Sequence, residues 1–184
     1  GHLLNIFNDV DRLIYGFDTF EGFIEESLVN EGYQPSKEVL EAYKAGTSME
    51  FVQYLAKLNK YPYIEFVKGD IATTGPEFVK RHTGFKIALL YMDVDFYDPT
   101  RAALQTFIPV MQPGGIIAFD QYNIAQQHGE TRAADEILAE YGLQVMRDPS
   151  PITPTAYCRI PNDFDSKSKQ ASESASSKDQ GDSR

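Results

Sequence analysis

Apolar residues fall along the chain in short runs that end on acids. Leu13–Phe17 runs into Asp18, and Ile64–Lys68 into Gly69-Asp70. Ile87–Val94 is nearly all apolar, as a parallel strand covered on both faces requires. Gly115–Phe119 is entered through Pro113-Gly114 and followed by Asp120. Each run predicts a strand. Leu143–Arg147 and Ala156–Ile160 flank the turn-rich segment 148–154 and predict a closing antiparallel pair. Between the strands lie helical patterns: Ser36–Tyr43, Ser48–Leu58, Pro76–His82, Pro99–Met111 and Ala133–Tyr141. In the last of these Ala134, Ile137, Leu138 and Tyr141 share one face.

This alternation predicts an α/β fold, a Rossmann-like and mostly parallel sheet with helices on both sides and a C-terminal antiparallel strand pair. Rossmann-like nucleotide binders normally open on a strand and a Gly-rich turn. Neither is found here, and Gly1–Phe7 reads as a helix already under way. The expectation is one domain over 1–161, with its N-terminal strand and Gly-rich loop missing and a helical lid or insertion over 22–60. From 162 to 184 the chain is Ser, Lys, Asp and Gln with little apolar content. Such a segment cannot bury enough surface to offset its ordering entropy, which predicts a disordered polar tail.

Composition narrows the partners. A length of 184 residues suits one sizeable core, and a formal net charge of -10 argues against a nucleic-acid backbone as ligand. Small molecules, or ligands reached through a cation, fit better. Cys158 is the one cysteine, so no disulfide forms within the chain. No apolar run approaches membrane-spanning length, and the start lacks a signal-peptide pattern. The expected location is cytoplasmic, with no membrane partner; a homo-oligomer is compatible with the sequence, which does not specify one.

The acids at the strand ends carry the candidate chemistry, because open α/β sheets bind ligands at the carboxyl ends of their strands. At the end of an early strand, Asp18 can accept both hydroxyls of a ribose, and Asp70 can accept from an adenine amino group. The plainer role for each is a turn former or helix cap. Met92-Asp93-Val94-Asp95-Phe96-Tyr97-Asp98 is the most informative stretch. If extended, it points Asp93 and Asp95 to one face, where two carboxylates repel unless a cation or shared proton lies between them. Asp120 follows the next strand, and Gln121 adds a neutral amide oxygen. Such oxygens suit a hard cation such as Mg²⁺. His2, His82 and His128 form no ligand pattern; His82 suits a helix C-terminus, and His128, in the loop after Asp120, can face either the substrate or solvent. Glu130 and Arg132 are read as a pair near the pocket mouth or as first-turn charges.

Tyr15–Gly22 (YGFDTFEG), Phe66–Thr73 (FVKGDIAT), Leu90–Thr100 (LYMDVDFYDPT) and Gly114–Tyr122 (GGIIAFDQY), followed by Gly129–Ala133, resemble the macrocin O-methyltransferase (TylF) family in order and spacing. That family belongs to the class I S-adenosylmethionine-dependent methyltransferases. The resemblance implies bound S-adenosylmethionine, Mg²⁺, and methyl transfer to a hydroxyl of a sugar-like, polyhydroxylated small molecule. It places Asp18, Asp70 and Ile71 on the cofactor, Asp93 as base and metal ligand, and Asp120 and Gln121 as further metal ligands. In the implied mechanism Mg²⁺ lowers the pKa of the acceptor hydroxyl, Asp93 takes its proton, and the oxygen attacks the sulfonium methyl in line. Family members commonly carry a second acid where Gln121 stands, so metal affinity is expected to be weaker. The rival expectation is a non-catalytic or degenerate binding domain of the same family. A nicotinamide-dependent oxidoreductase is disfavoured by the missing Gly-rich turn.

Overall fold

The computed structural model describes residues 12–46, 48–61, 63–124, 128–147 and 152–165. The expected helix at Gly1–Phe7 and the expected tail from Ser166 onward lie outside them. The chain packs as two compact units, Gly1–Phe78 and Val79–Arg184.

In the first unit β1 (Ile14–Asp18) and β2 (Ile64–Lys68) pair in parallel, in register from Ile14 opposite Ile64 to Asp18 opposite Lys68. Both strands lie where the apolar runs predict them. Three helices connect them: α1 (Glu25–Asn30), α2 (Lys37–Gly46) and α3 (Met49–Leu58). Ser48 starts α3, its hydroxyl accepting from Phe51 N–H at 3.3 Å. The short α1 has no sequence signature long enough to predict. Tyr15 and Phe17, two apart on one strand face, both meet the buried Phe78 edge-on, at 4.7 and 5.2 Å between ring centres. Phe78 belongs to α4 (Ile71–Arg81), which crosses the boundary of the two units.

The pattern begins α4 at Pro76, where a proline costs a helix least. The structure begins it at Ile71. Asp70 explains the early start: its Oδ1 accepts from Ala72 N–H at 2.9 Å, and its carbonyl accepts from Thr74 N–H at 2.8 Å. Pro76 then sits inside the helix and forgoes the bond to the Ala72 carbonyl. The turn into α4 requires Gly69. Its φ is +135°, and a Cβ there would lie 2.8 Å from Thr74 Cγ2.

The second unit is built on a four-stranded sheet in the order β3-β4-β6-β5. β3 (Ile87–Met92) is parallel to β4 (Met111–Phe119), while β6 (Ala156–Arg159) is antiparallel both to β4 and to β5 (Val145–Met146). The expected C-terminal antiparallel pair is therefore present. α5 (Tyr97–Phe107), a 3-10 turn at Ile108–Val110 and α6 (His128–Glu140) complete the unit. Its core holds Leu104, Ile108, Ile117, Phe119, Ile137, Leu138, Cys158 and Ile160, all essentially out of water. α5 packs on α6.

Two helix starts differ from expectation here. α5 begins at Tyr97 rather than Pro99, with Phe96 as cap residue and no bond from that residue's side chain. α6 begins at His128 rather than Ala133, because its first turn carries the buried Gly129 and Glu130. It ends as Gly142 turns to φ +65°, with Leu143 N–H returning to the Leu138 carbonyl at 2.9 Å. Beyond this end the Tyr141 ring stacks at a tilt on Phe164, 6.2 Å away. The packed body thus extends a few residues beyond Pro161.

Candidate functional site

Each unit brings two of the candidate acids to neighbouring strand ends. In the first, Asp18 closes β1 and Asp70 follows β2, and Gly69 N–H bonds the Asp18 carbonyl at 2.9 Å. Asp18 is exposed, and its Oδ1 accepts from Phe20 N–H at 2.7 Å. Asp70 Oδ1 is the cap of α4 already described, with half-buried Ile71 as first helical residue. Both acids thus play the plainer role with one oxygen. Lys68, beside Asp18 in the sheet, pairs with Glu21 at 2.7 Å; that ion pair holds the Glu21 carboxyl below and the Lys68 amine above their usual values.

In the second unit Asp93 follows β3 and Asp120 follows β4, tied by Asp120 N–H donating to the Met92 carbonyl at 2.9 Å. The stretch after Met92 is not extended. Asp95 has φ +61°, and Phe96 N–H closes a three-residue turn onto the Val94 carbonyl at 2.6 Å. The two-residue alternation that would place Asp93 and Asp95 on one face therefore does not hold. A left-handed Asp is tolerated because its short polar side chain bonds locally. Asp93 is exposed, while Asp95 and Asp120 are half-buried. The Tyr91 hydroxyl donates to Asp120 Oδ1 from β3. Burial and this bond to a carboxylate both raise the Tyr91 pKa.

Glu130 is the residue whose importance the sequence reading missed. Its side chain is 0% exposed, and Oε1 accepts from Gln121 N–H at 3.0 Å. Burial pushes its carboxyl up to about 8. The Gln121 N–H opposes this, while the negative charges of Asp95, Asp93 and Asp120 add to it. A signal was present: Glu130 stands three, four, seven and eight residues before Ala133, Ala134, Ile137 and Leu138, on the buried stripe of the helix. Arg132 lies instead over the Tyr97 ring, 4.0 Å from its centre, and the Tyr97 hydroxyl donates to Glu136 at 2.5 Å. His128 is the exposed first residue of α6, and His82 follows the C-terminus of α4.

The donor chemistry of this second group fits a hard divalent cation. Asp93, Asp120 and Gln121 supply oxygen only, and Gln121 Oε1 is buried with no hydrogen-bond partner among the described residues. The same residues hold no group of three His, Cys, Asp or Glu side chains gathered as a cage. Among the described residues no helix is long and apolar enough to cross a membrane.

A family model described as Macrocin-O-methyltransferase (TylF) matches residues 2–144. The crystal structure of CalS11, described as a calicheamicin methyltransferase, is similar over 86% of this chain and 65% of that one. Its identity is 27% and its TM-score 0.63. The apo structure of CalS11, described as a TDP-rhamnose 3'-O-methyltransferase, matches at 27% identity and TM-score 0.59, covering 86% and 63%. The O-methyltransferase NovP, at 20% identity and TM-score 0.63 over 86% and 64%, shares the fold. The chain spans less than two thirds of the length of these proteins. No curated protein matches it.

Proposed function

The chain belongs to the macrocin-O-methyltransferase (TylF) family, and on that premise we propose that it transfers a methyl group from S-adenosylmethionine to a hydroxyl of a sugar-like small molecule. The observation that carries this reading is the bond from Asp120 N–H to the Met92 carbonyl, which sets the two candidate acids at adjacent parallel strand ends. The 3'-O-methylation of TDP-rhamnose in the description of CalS11 supports a sugar as acceptor class.

In this reading Asp18 accepts from the ribose hydroxyls, and Asp70 and Ile71 line the adenine side. Asp93, exposed beyond β3, takes the proton of the acceptor hydroxyl. The oxygen then forms its bond to the methyl carbon as the carbon–sulfur bond breaks, and holding the two in line supplies much of the rate. Mg²⁺, held by Asp93, Asp120 and Gln121, would supply a Lewis acid for the acceptor oxygen. Gln121 brings no charge, which supports a weak site.

Calorimetry with S-adenosylmethionine tests the reading. Binding is expected to weaken about tenfold or more in Asp18→Ala, the scale of a lost charged hydrogen bond. Unchanged binding in that variant removes the assignment. Gln121 favours one alternative, a family member that binds but does not transfer; cofactor binding without turnover at any Mg²⁺ concentration would establish it.

A further inference from the structure

The loop after β4 carries the second candidate acid, and three consecutive residues of that loop are tied to one helix. Gln121 N–H donates to Glu130 Oε1 at 3.0 Å, and Asn123 N–H donates to the Thr131 hydroxyl at 2.7 Å. Between them the Tyr122 hydroxyl donates to Asp135 at 2.6 Å. Asn123 itself sits at φ +61°, a left-handed conformation that Asn adopts readily in turns. The acceptors come from the first two turns of α6, and α6 is anchored in the core through Ala133, Ala134, Ile137 and Leu138.

Of the three ties, the one to Gln121 is the most shielded: it is part-buried, whereas the other two are exposed. Thr131 and Asp135 lie nearer the surface, where solvent can replace them, whereas Glu130 is fully buried. A buried backbone N–H that loses its acceptor costs the full desolvation penalty of the group. A carboxyl on this stripe is also a costly choice for packing alone, because an apolar side chain would fill the same space without desolvating two oxygens. Its second oxygen has no hydrogen-bond partner among the described residues.

We propose that Glu130 is a positioning residue: by holding Gln121 N–H from the first turn of α6, it sets the direction in which Asp120 and Gln121 present their side chains. This rests on the methyl-transfer reading for its catalytic consequence, and on the loop geometry alone for its structural one. Glu130 touches neither substrate nor cofactor in this scheme. It acts through Gln121.

The test compares E130M, which keeps the volume and removes both oxygens, with E130Q, which keeps an acceptor for the same N–H. Hydrogen exchange is read at Gln121, Tyr122 and Asn123, and at Ile117–Phe119 of β4 as reference. In E130M exchange at the loop is expected to speed up about tenfold, the scale of one lost buried hydrogen bond, with β4 unchanged. E130Q restores protection. In turnover, E130M is expected to lower kcat about tenfold or more, as a small misplacement does, with the S-adenosylmethionine KM within about twofold. Loop exchange unchanged in E130M overturns the proposal. So does faster exchange with kcat intact, or an E130Q that fails to restore either quantity while its β4 exchange is native. If the unaltered chain gives no turnover, the methyl-transfer reading and the catalytic consequence fall together, and the exchange result still decides the geometry.

Discussion

Glu130 places an ionisable group beyond the reach of water, so the fold depends on its protonation. Its folded carboxyl titrates at about 8, against about 4.5 for the free side chain. The fold favours the neutral form. Its contribution is therefore complete below about pH 4.5 and is lost as the pH rises to about 8. A tenfold change in an ionisation constant is worth about 1.4 kcal/mol, so the loss is on the order of a few kcal/mol. In metal-free buffer the urea midpoint of the native chain should fall between pH 5 and pH 8 relative to E130Q, which carries no such charge. A difference that stays flat over that range would count against the buried carboxyl. Gly69 makes a second residue-scale case. Gly69→Ala meets both the positive φ and the Thr74 methyl, and should cost about 1–3 kcal/mol. Adding Thr74→Ser removes the methyl and keeps the hydroxyl, so thermal melts should recover part of that loss, the part due to the clash. Cys158, buried in β6 with its thiol pushed up to about 11 by burial, should resist iodoacetamide until the fold opens.

At the scale of elements, strands were easier to read than the boundaries of helices. Ile64–Lys68 coincides with its apolar run, because a strand ended by Gly69-Asp70 has no way to continue. The start of α6 was misplaced because Gly129 and Glu130 look polar in sequence and are buried in structure. Pro76 marks a helix start in the pattern, whereas Asp70 already caps α4 upstream of it; the cap, a local bond, outranks the proline. The candidate acids were legible as strand-end positions, since four runs ended on them in succession. What the sequence could not reveal was the turn at Asp95: a left-handed residue leaves no mark in hydrophobic pattern, and Asp is common in many turns. The ties to α6 were equally hidden, as they join residues eight to thirteen apart through side chains of ordinary loop type. The element also predicts how those ties separate. Thr131→Val removes only the acceptor of Asn123 N–H, so hydrogen exchange should rise at Asn123 and remain slow at Gln121.

For the molecule as a whole, the two units differ in how they use apolar surface. The second encloses a continuous core between its sheet and helices, while α3 in the first has no buried residue and exposes Phe51 and Tyr54 at 49% and 59%. The charge of -10 gives a prediction at this scale: the chain should pass unretained through heparin at low salt and at neutral pH. Retention there would count against the charge balance as a guide to the chain's partners.

The strand order of the second unit also bears on how the chain is made. β6, the last strand in sequence, lies between β4 and β5. During synthesis β4 leaves the ribosome with one edge occupied by β3 and the other open, and β5 emerges with no sheet to join. Both wait for residues 156–159. The waiting edge runs through Ile116, Ile117, Ala118 and Phe119, an apolar stretch of the kind that pairs with other chains when left open. Emergence of residues 156–159, rather than of the early strands, becomes the moment at which the sheet can close, and a translation product stopped at Arg147 should aggregate where one carried through β6 remains dispersed.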